Sequence, residues 1–132
     1  MATENKGKCI SLTATATLAS SQFMFVKLGT TATNCVVCTG LTDRPIGIVQ
    51  NAPIAGQPAE VMVSGVSKLV CGGSVALGAL VGSDSAAKGT AITVAAGGTV
   101  YNYAGGLVLT GNTAANGVAE VLVFSGGQPL LV

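Results

Sequence analysis

The chain has 132 residues, the size of one domain, and a chain this long buries roughly two-thirds of the surface it exposes when unfolded. Only 8% of its residues are charged, against a typical ~25%, its formal net charge is +1, and it contains 19 Gly, no Trp and no His. Without a basic stripe it has nothing to neutralise a run of phosphates, and without His it cannot build an ordinary hydrolase triad or a His-ligated metal centre.

In chain order, Glu4, Lys6 and Lys8 form the single charge cluster. It reads either as a solvated end or as an arm that docks on a neighbouring subunit. Residues 1–10 show no apolar signal region, so a protein made in a cytoplasm is expected, and no run approaches the ~20 apolar residues of a membrane helix. Residues 10–18 alternate: Ile10, Leu12, Ala14, Ala16 and Leu18 on one side, Ser11, Thr13, Thr15 and Thr17 on the other. Period two predicts a half-buried strand or an extended arm. Residues 23–28 follow as a strand whose Phe23 and Phe25 are the main aromatic core element, and 34–39 as a third.

Cys35-Val36-Val37-Cys38 lies in that third strand. Positions three apart on a strand face opposite sides, which is poor geometry for a shared metal, and Cys9 and Cys71 stand alone. The four cysteines are expected as inert thiols, with metal or redox chemistry as the lesser readings, and no metal or cofactor is expected.

Asp43-Arg44-Pro45 reads as a turn feeding residues 46–49. Pro58 suits the first residue of a strand, since it cannot donate to a ladder, and Gly65 suits a bulge or corner in it. Residues 75–81 read as a broken strand or a core-lining loop, and 75–88 is the one stretch where a short helix would fit. Strands are expected at 92–94, 100–103, 107–110 and 119–124, with Gly111-Asn112 and Asn116-Gly117 in a hairpin loop. Gly126-Gly127-Gln128-Pro129 is expected to close the fold ahead of the apolar tail 130–132.

One segment is written twice. Gly47-Ile48-Val49 leads to Ala59-Glu60-Val61-Met62-Val63; Gly106-Leu107-Val108 leads to Ala119-Glu120-Val121-Leu122-Val123, after a connector one residue longer. Two copies of a strand-turn-strand unit, about 46–65 and 105–126, predict internal pseudo-symmetry. The fold expected is all-β: a small Gly-rich barrel or sandwich over 21–132, with 1–20 as an N-terminal arm or edge strand.

Reactive groups are sparse. The carboxylates are isolated in sequence, and Glu60 and Glu120 are a pair only through the repeat. Gly72-Gly73-Ser74-Val75-Ala76 falls short of a nucleophile elbow at its last position, and Lys88-Gly89-Thr90 lacks the glycine loop of a phosphate site. No enzyme is expected. Tyr101 and Tyr103, two apart on one strand face, leave open a small sugar platform and thus a carbohydrate-binding or adhesive module.

The ordered series Arg44-Pro45-Ile46-Gly47-Ile48-Val49-Gln50-Asn51-Ala52, then 55–66, Gly72-Gly73-Ser74-Val75, Gly78-Ala79-Leu80-Val81 with Asp84, Gly105-Gly106-Leu107-Val108 and Glu120-Val121-Leu122-Val123 resembles the capsid cement, or head decoration, proteins of tailed bacteriophages. The resemblance implies a homotrimer bound to the exterior of a phage head. There it would bridge major capsid protein subunits and stabilise the shell. It implies no nucleic acid or membrane partner. Lys6, Lys8, Ile10, Leu12, Glu60 and Glu120 are the candidate subunit or shell contacts.

Overall fold

A computed structural model of the chain describes residues 7–93 and 97–132. Among them are nine strands and no helix: β1 (Lys8–Ala14), β2 (Phe25–Leu28), β3 (Asn34–Val37), β4 (Gly47–Val49), β5 (Pro58–Val70), β6 (Leu80–Ser83), β7 (Gly89–Ala91), β8 (Tyr101–Thr110) and β9 (Val118–Leu131). The all-β class expected from the short, Gly- and Pro-punctuated apolar runs is what forms.

β1, β3, β2, β4 and β5 pair in that order, and β5 returns to β1, so five strands close into a barrel. Every pairing in the ring is antiparallel except β1 with β3. Lys8–Ala14 has a neighbour on each side and closes the ring. Its strand stops at Ala14, short of the expected residue 18; Ala16 is exposed, while Leu18 turns back into the core.

β5 belongs to two sheets. Its first half pairs with β1 and β4; from Gly65 onward it pairs with β9, and the order continues through β8 and β6 to β7. Gly65 sits at the change with φ 111, a conformation that costs a side-chain-bearing residue dearly, so the expected corner is real. Pro58 opens the strand, as its missing N–H requires.

Alternation divides the core in two. Val26, Val49, Cys35, Ala14, Ala59 and Val61, contributed by all five ring strands, fill the barrel with Leu18. Their strand neighbours Phe25 and Ile48 point the other way. They join Leu69, Cys71, Val81, Val108, Val121 and others between the barrel and the second sheet. Period two thus lets one short strand serve two cores.

The repeated segment forms two hairpins of matching register. Ile48 lies opposite Met62 and Val49 opposite Val61; Leu107 lies opposite Leu122 and Val108 opposite Val121. The first hairpin is in the barrel and the second in the open sheet.

Two expectations fail locally. Gly126 and Gly127 do not end the fold. They take φ 73 and 71 inside β9, which bulges between the pairs Gly106–Val123 and Ala104–Gln128 and then runs on to Leu131. Residues 75–88 hold no helix. Val75 bridges Asn112, Gly78 turns with φ 81, and the Asp84 carboxylate accepts the N–H groups of Ala86 (2.8 Å) and Lys88 (3.0 Å) in the β6–β7 turn. The strand expected at 92–94 is absent from Ile92 and Thr93; the strand of this region is β7, which ends at Ala91, and Val94 lies outside the described residues.

Candidate functional site

The residues expected at contacts fall into two places. Lys6 lies outside the described residues. Lys8 is exposed opposite Ser64, at a register shift in the β1–β5 ladder. Ile10 is 37% exposed, while Leu12 packs against the barrel core. Glu60 is exposed opposite Ser11, and its backbone N–H is held by Asn51 Oδ1 at 2.9 Å. Glu60 shares a groove of about 300 Å³ with Cys9, Ile10, Ser11, Asn51 and Pro58.

Glu120 sits elsewhere. It lies opposite Lys68 in a groove of about 230 Å³ with Phe23, Gln50, Val66 and Ser67. Glu60 and Lys68 stand on either side of the Gly65 corner of β5, Glu60 paired with β1 and Lys68 with β9. The two glutamates are equivalent in the repeat but line separate grooves, each with its own set of neighbours.

The third groove was not legible as a site. Lys27 Nζ pairs with Asp43 Oδ2 at 2.9 Å, and the same oxygen accepts Thr39 N–H at 2.7 Å and Thr39 Oγ1 at 2.8 Å. Next to them Arg44 Nε donates to Gly126 O at 2.5 Å, and its guanidinium lies 5.6 Å from the centre of the Tyr103 ring. Lys27, Leu28, Arg44, Ile46 and Gly126 line a groove of about 470 Å³ between the barrel and the β9 bulge. Arg44 therefore fastens the second sheet to the barrel, as does Ser125 Oγ, which donates to Val63 O at 2.6 Å. The available signal was charge itself: in so uncharged a chain, Asp43-Arg44 within a turn was worth more than punctuation.

Burial pushes the Asp43 carboxyl up, but the Lys27 ammonium and the two Thr39 donors outweigh it and hold the group below its ordinary value of 3.8. A carboxylate depressed in the folded state contributes stability above its unfolded pKa and loses it as pH falls through the folded one. Wild type is thus expected to melt above Asp43→Asn at pH 7. That gap should close as the pH drops below about 4, when melting is followed by circular dichroism.

Cys35 lies in the barrel core, and Cys38 lies in the core between the layers, so the Cys-x-x-Cys faces two ways as its spacing implies. Burial raises all of these thiols. Cys38 goes to about 12, with Asp43 adding to the rise and Lys27 opposing it. Burial also lifts Cys35, and Cys71 despite the Ala119 N–H. Cys9 is the exposed cysteine, and burial and then Glu60 raise its pKa as well. A thiol titration with a maleimide at neutral pH is expected to count one slow-reacting cysteine in the native protein and four after denaturation.

Of the two tyrosines proposed as a platform, Tyr101 is 57% exposed, but Tyr103 carries the Arg44 guanidinium. The wider surface is apolar instead. Val66, Leu122, Leu107 and Leu80 lie side by side across β5, β9, β8 and β6, all at least partly exposed, with Val118 (50%) and Leu109 (40%) flanking them. Such surfaces suit contact with another macromolecule.

No protein-family description matches the chain, and no curated protein matches its sequence. Among solved structures its fold is similar to the crystal structure of the head fiber gp8.5 N base of bacteriophage phi29. The TM-score is 0.62 and 9% of residues are identical, over 93% of this chain and 98% of that one. At that identity the likeness is one of fold.

Proposed function

We propose that this chain is a non-enzymatic structural protein of a phage head. In this reading it is a cement or decoration protein that forms a homotrimer, sits on the virion exterior and bridges major capsid protein subunits. The observation that carries the reading is the near-complete overlap in fold with the base of a phage head fiber, reached independently of the cement-protein resemblance in the sequence. The surface supports it. A chain with 8% charged residues that leaves an apolar row open across four strands is suited to dry, repeated contacts on a lattice, where many weak contacts add up.

The test is addition of purified protein to expanded heads that lack it. Expected are saturable cosedimentation and a higher temperature for DNA release. Decorated and bare heads that fail at the same temperature would remove the stabilising role. A second reading follows from the same neighbour: the fold serves as the base that seats a longer fiber on the head. Electron microscopy of intact particles separates the two, a compact knob marking cement and a projecting shaft marking a fiber base.

A further inference from the structure

We propose that the groove between β2 and the β9 bulge is the seat for the outward stripe of β9 from a second copy of this chain. The proposal rests on the reading of the chain as a self-assembling structural protein and names the surfaces by which it assembles.

The groove presents apolar, cation, apolar. Leu28 is 59% exposed, Ile46 is half-buried, and Lys27 and Arg44 lie with them. Two cations against the single carboxylate of Asp43 leave it positive. Arg44 is also set in advance. Its Nε is held by Gly126 O, and its guanidinium carbon lies 5.6 Å from the Tyr103 ring centre, while its terminal nitrogens hold no hydrogen bond among the described residues. A guanidinium already fixed loses little freedom when it meets a carboxylate.

The stripe presents apolar, anion, apolar. Val118, Glu120 and Leu122 point to the same side of β9, and Val118 and Leu122 are 50% and 39% exposed. Lys68, the cross-strand neighbour of Glu120, places its ammonium over the Phe23 ring, 5.7 Å from the centre. Groove and stripe thus match in charge and in apolar flanks. Within one chain they are separate: Glu120 lines a groove with Phe23, Gln50, Val66, Ser67 and Lys68, and Arg44 one with Lys27, Leu28, Ile46 and Gly126. A contact between two different patches of the same molecule is heterologous, and it closes into a ring when the rotation permits.

The test uses charge exchange at exposed positions that make no core contact. Association of the full chain is measured by sedimentation equilibrium, with circular dichroism melting to verify folding. Leu28→Glu places an anion against Glu120 and is expected to weaken association roughly tenfold or more, whereas Leu28→Lys leaves it intact or tightens it. Glu120→Lys alone also weakens it, and Leu28→Glu with Glu120→Lys together restores most of the loss. Additive losses in the double variant, or a wild type that stays monomeric at roughly millimolar concentration, would overturn the proposal. So would variants that keep their oligomer but no longer bind heads, since the shell would then occupy the groove. Rings that form as described but ignore phage heads would leave this interface standing and remove the head-binding role.

Discussion

Phe25→Ala is expected to destabilise the protein by about 3–5 kcal/mol, the largest loss from truncating any one side chain here. Phe25 is the largest fully buried side chain, at 0% exposure, and it lies where barrel and second sheet meet, among Ile48, Leu69, Val108 and Val121. Its backbone is held on both sides, by Ala87 O accepting its N–H at 3.0 Å and by Cys38 N–H reaching its carbonyl at 3.1 Å, so the strand cannot easily shift to fill the void. Against a total stability of ~5–15 kcal/mol the loss takes the protein close to its unfolding limit at ambient temperature. The ring also explains Gly105. A Cβ there would run into its Cδ1, Cε1 and Cζ atoms. Gly105→Ala is therefore expected to destabilise wild type by about 1–3 kcal/mol and to cost far less in the Phe25→Ala background, where the methyl enters the cavity. Urea unfolding of the four proteins measures the coupling. Losses that simply add would mean that ring and glycine do not oppose one another.

The same contact shows where sequence was sufficient and where it was not. The strand expected over 23–28 marked Phe23 and Phe25 together as core, of which the structure puts Phe25 in β2 and fully buries it while Phe23 stays half-buried ahead of the strand; nothing in the sequence pairs residue 25 with residue 105, because that contact depends on how two sheets stack. Pro58 and Gly65 were legible since each acts through its own backbone: one lacks a donor, the other tolerates φ 111. Gly126 and Gly127 misled for the converse reason. A pair of glycines is as suited to a bulge as to a chain end, and only the pairing of Ala104 with Gln128 decides between them. The alternation over 10–18 marked a strand, of which Ile10–Ala14 lies in β1, but the second neighbour of that strand, β3, is a parallel partner, and no local pattern encodes that.

The candidate surfaces followed the same rule. Glu60 and Glu120 stood out because the chain repeats itself, yet the structure sends one hairpin into the barrel and the other into the open sheet. Arg44 passed as part of a turn because its partners Gly126 and Tyr103 are remote in sequence. Side chains that join layers leave little local trace. Their best sign in this chain was the rarity of charge, which makes every charged residue costly to ignore.

The repeated hairpin yields the second large effect. Gly47 and Gly106 are equivalent and buried, and neither has a positive φ, so alanine meets no backbone penalty and any cost is steric. At Gly106 a Cβ would stand 2.9 Å from Leu122 O and 3.4 Å from Val121 Cβ. At Gly47 it would be driven into the Met62 carbonyl oxygen and come within 2.9 Å of Val61 Cγ1. The matched neighbours, Met62 for Leu122 and Val61 for Val121, show that both glycines let two strands approach for the same reason. Their surroundings differ. β4 has three residues and is held between β2 and β5 of a closed ring, while β8 lies in an open sheet that can flex. Closure leaves the barrel no direction in which to yield, so Gly47→Ala is expected to cost about 3 kcal/mol or more and Gly106→Ala about 1 kcal/mol. Thermal melts of the two variants test this. Equal losses would mean that the hairpins are mechanically alike and that ring closure adds no stiffness. A larger loss at Gly106 would place the rigid part of the molecule in the second sheet, the layer whose outer face carries the apolar row and the Glu120 stripe.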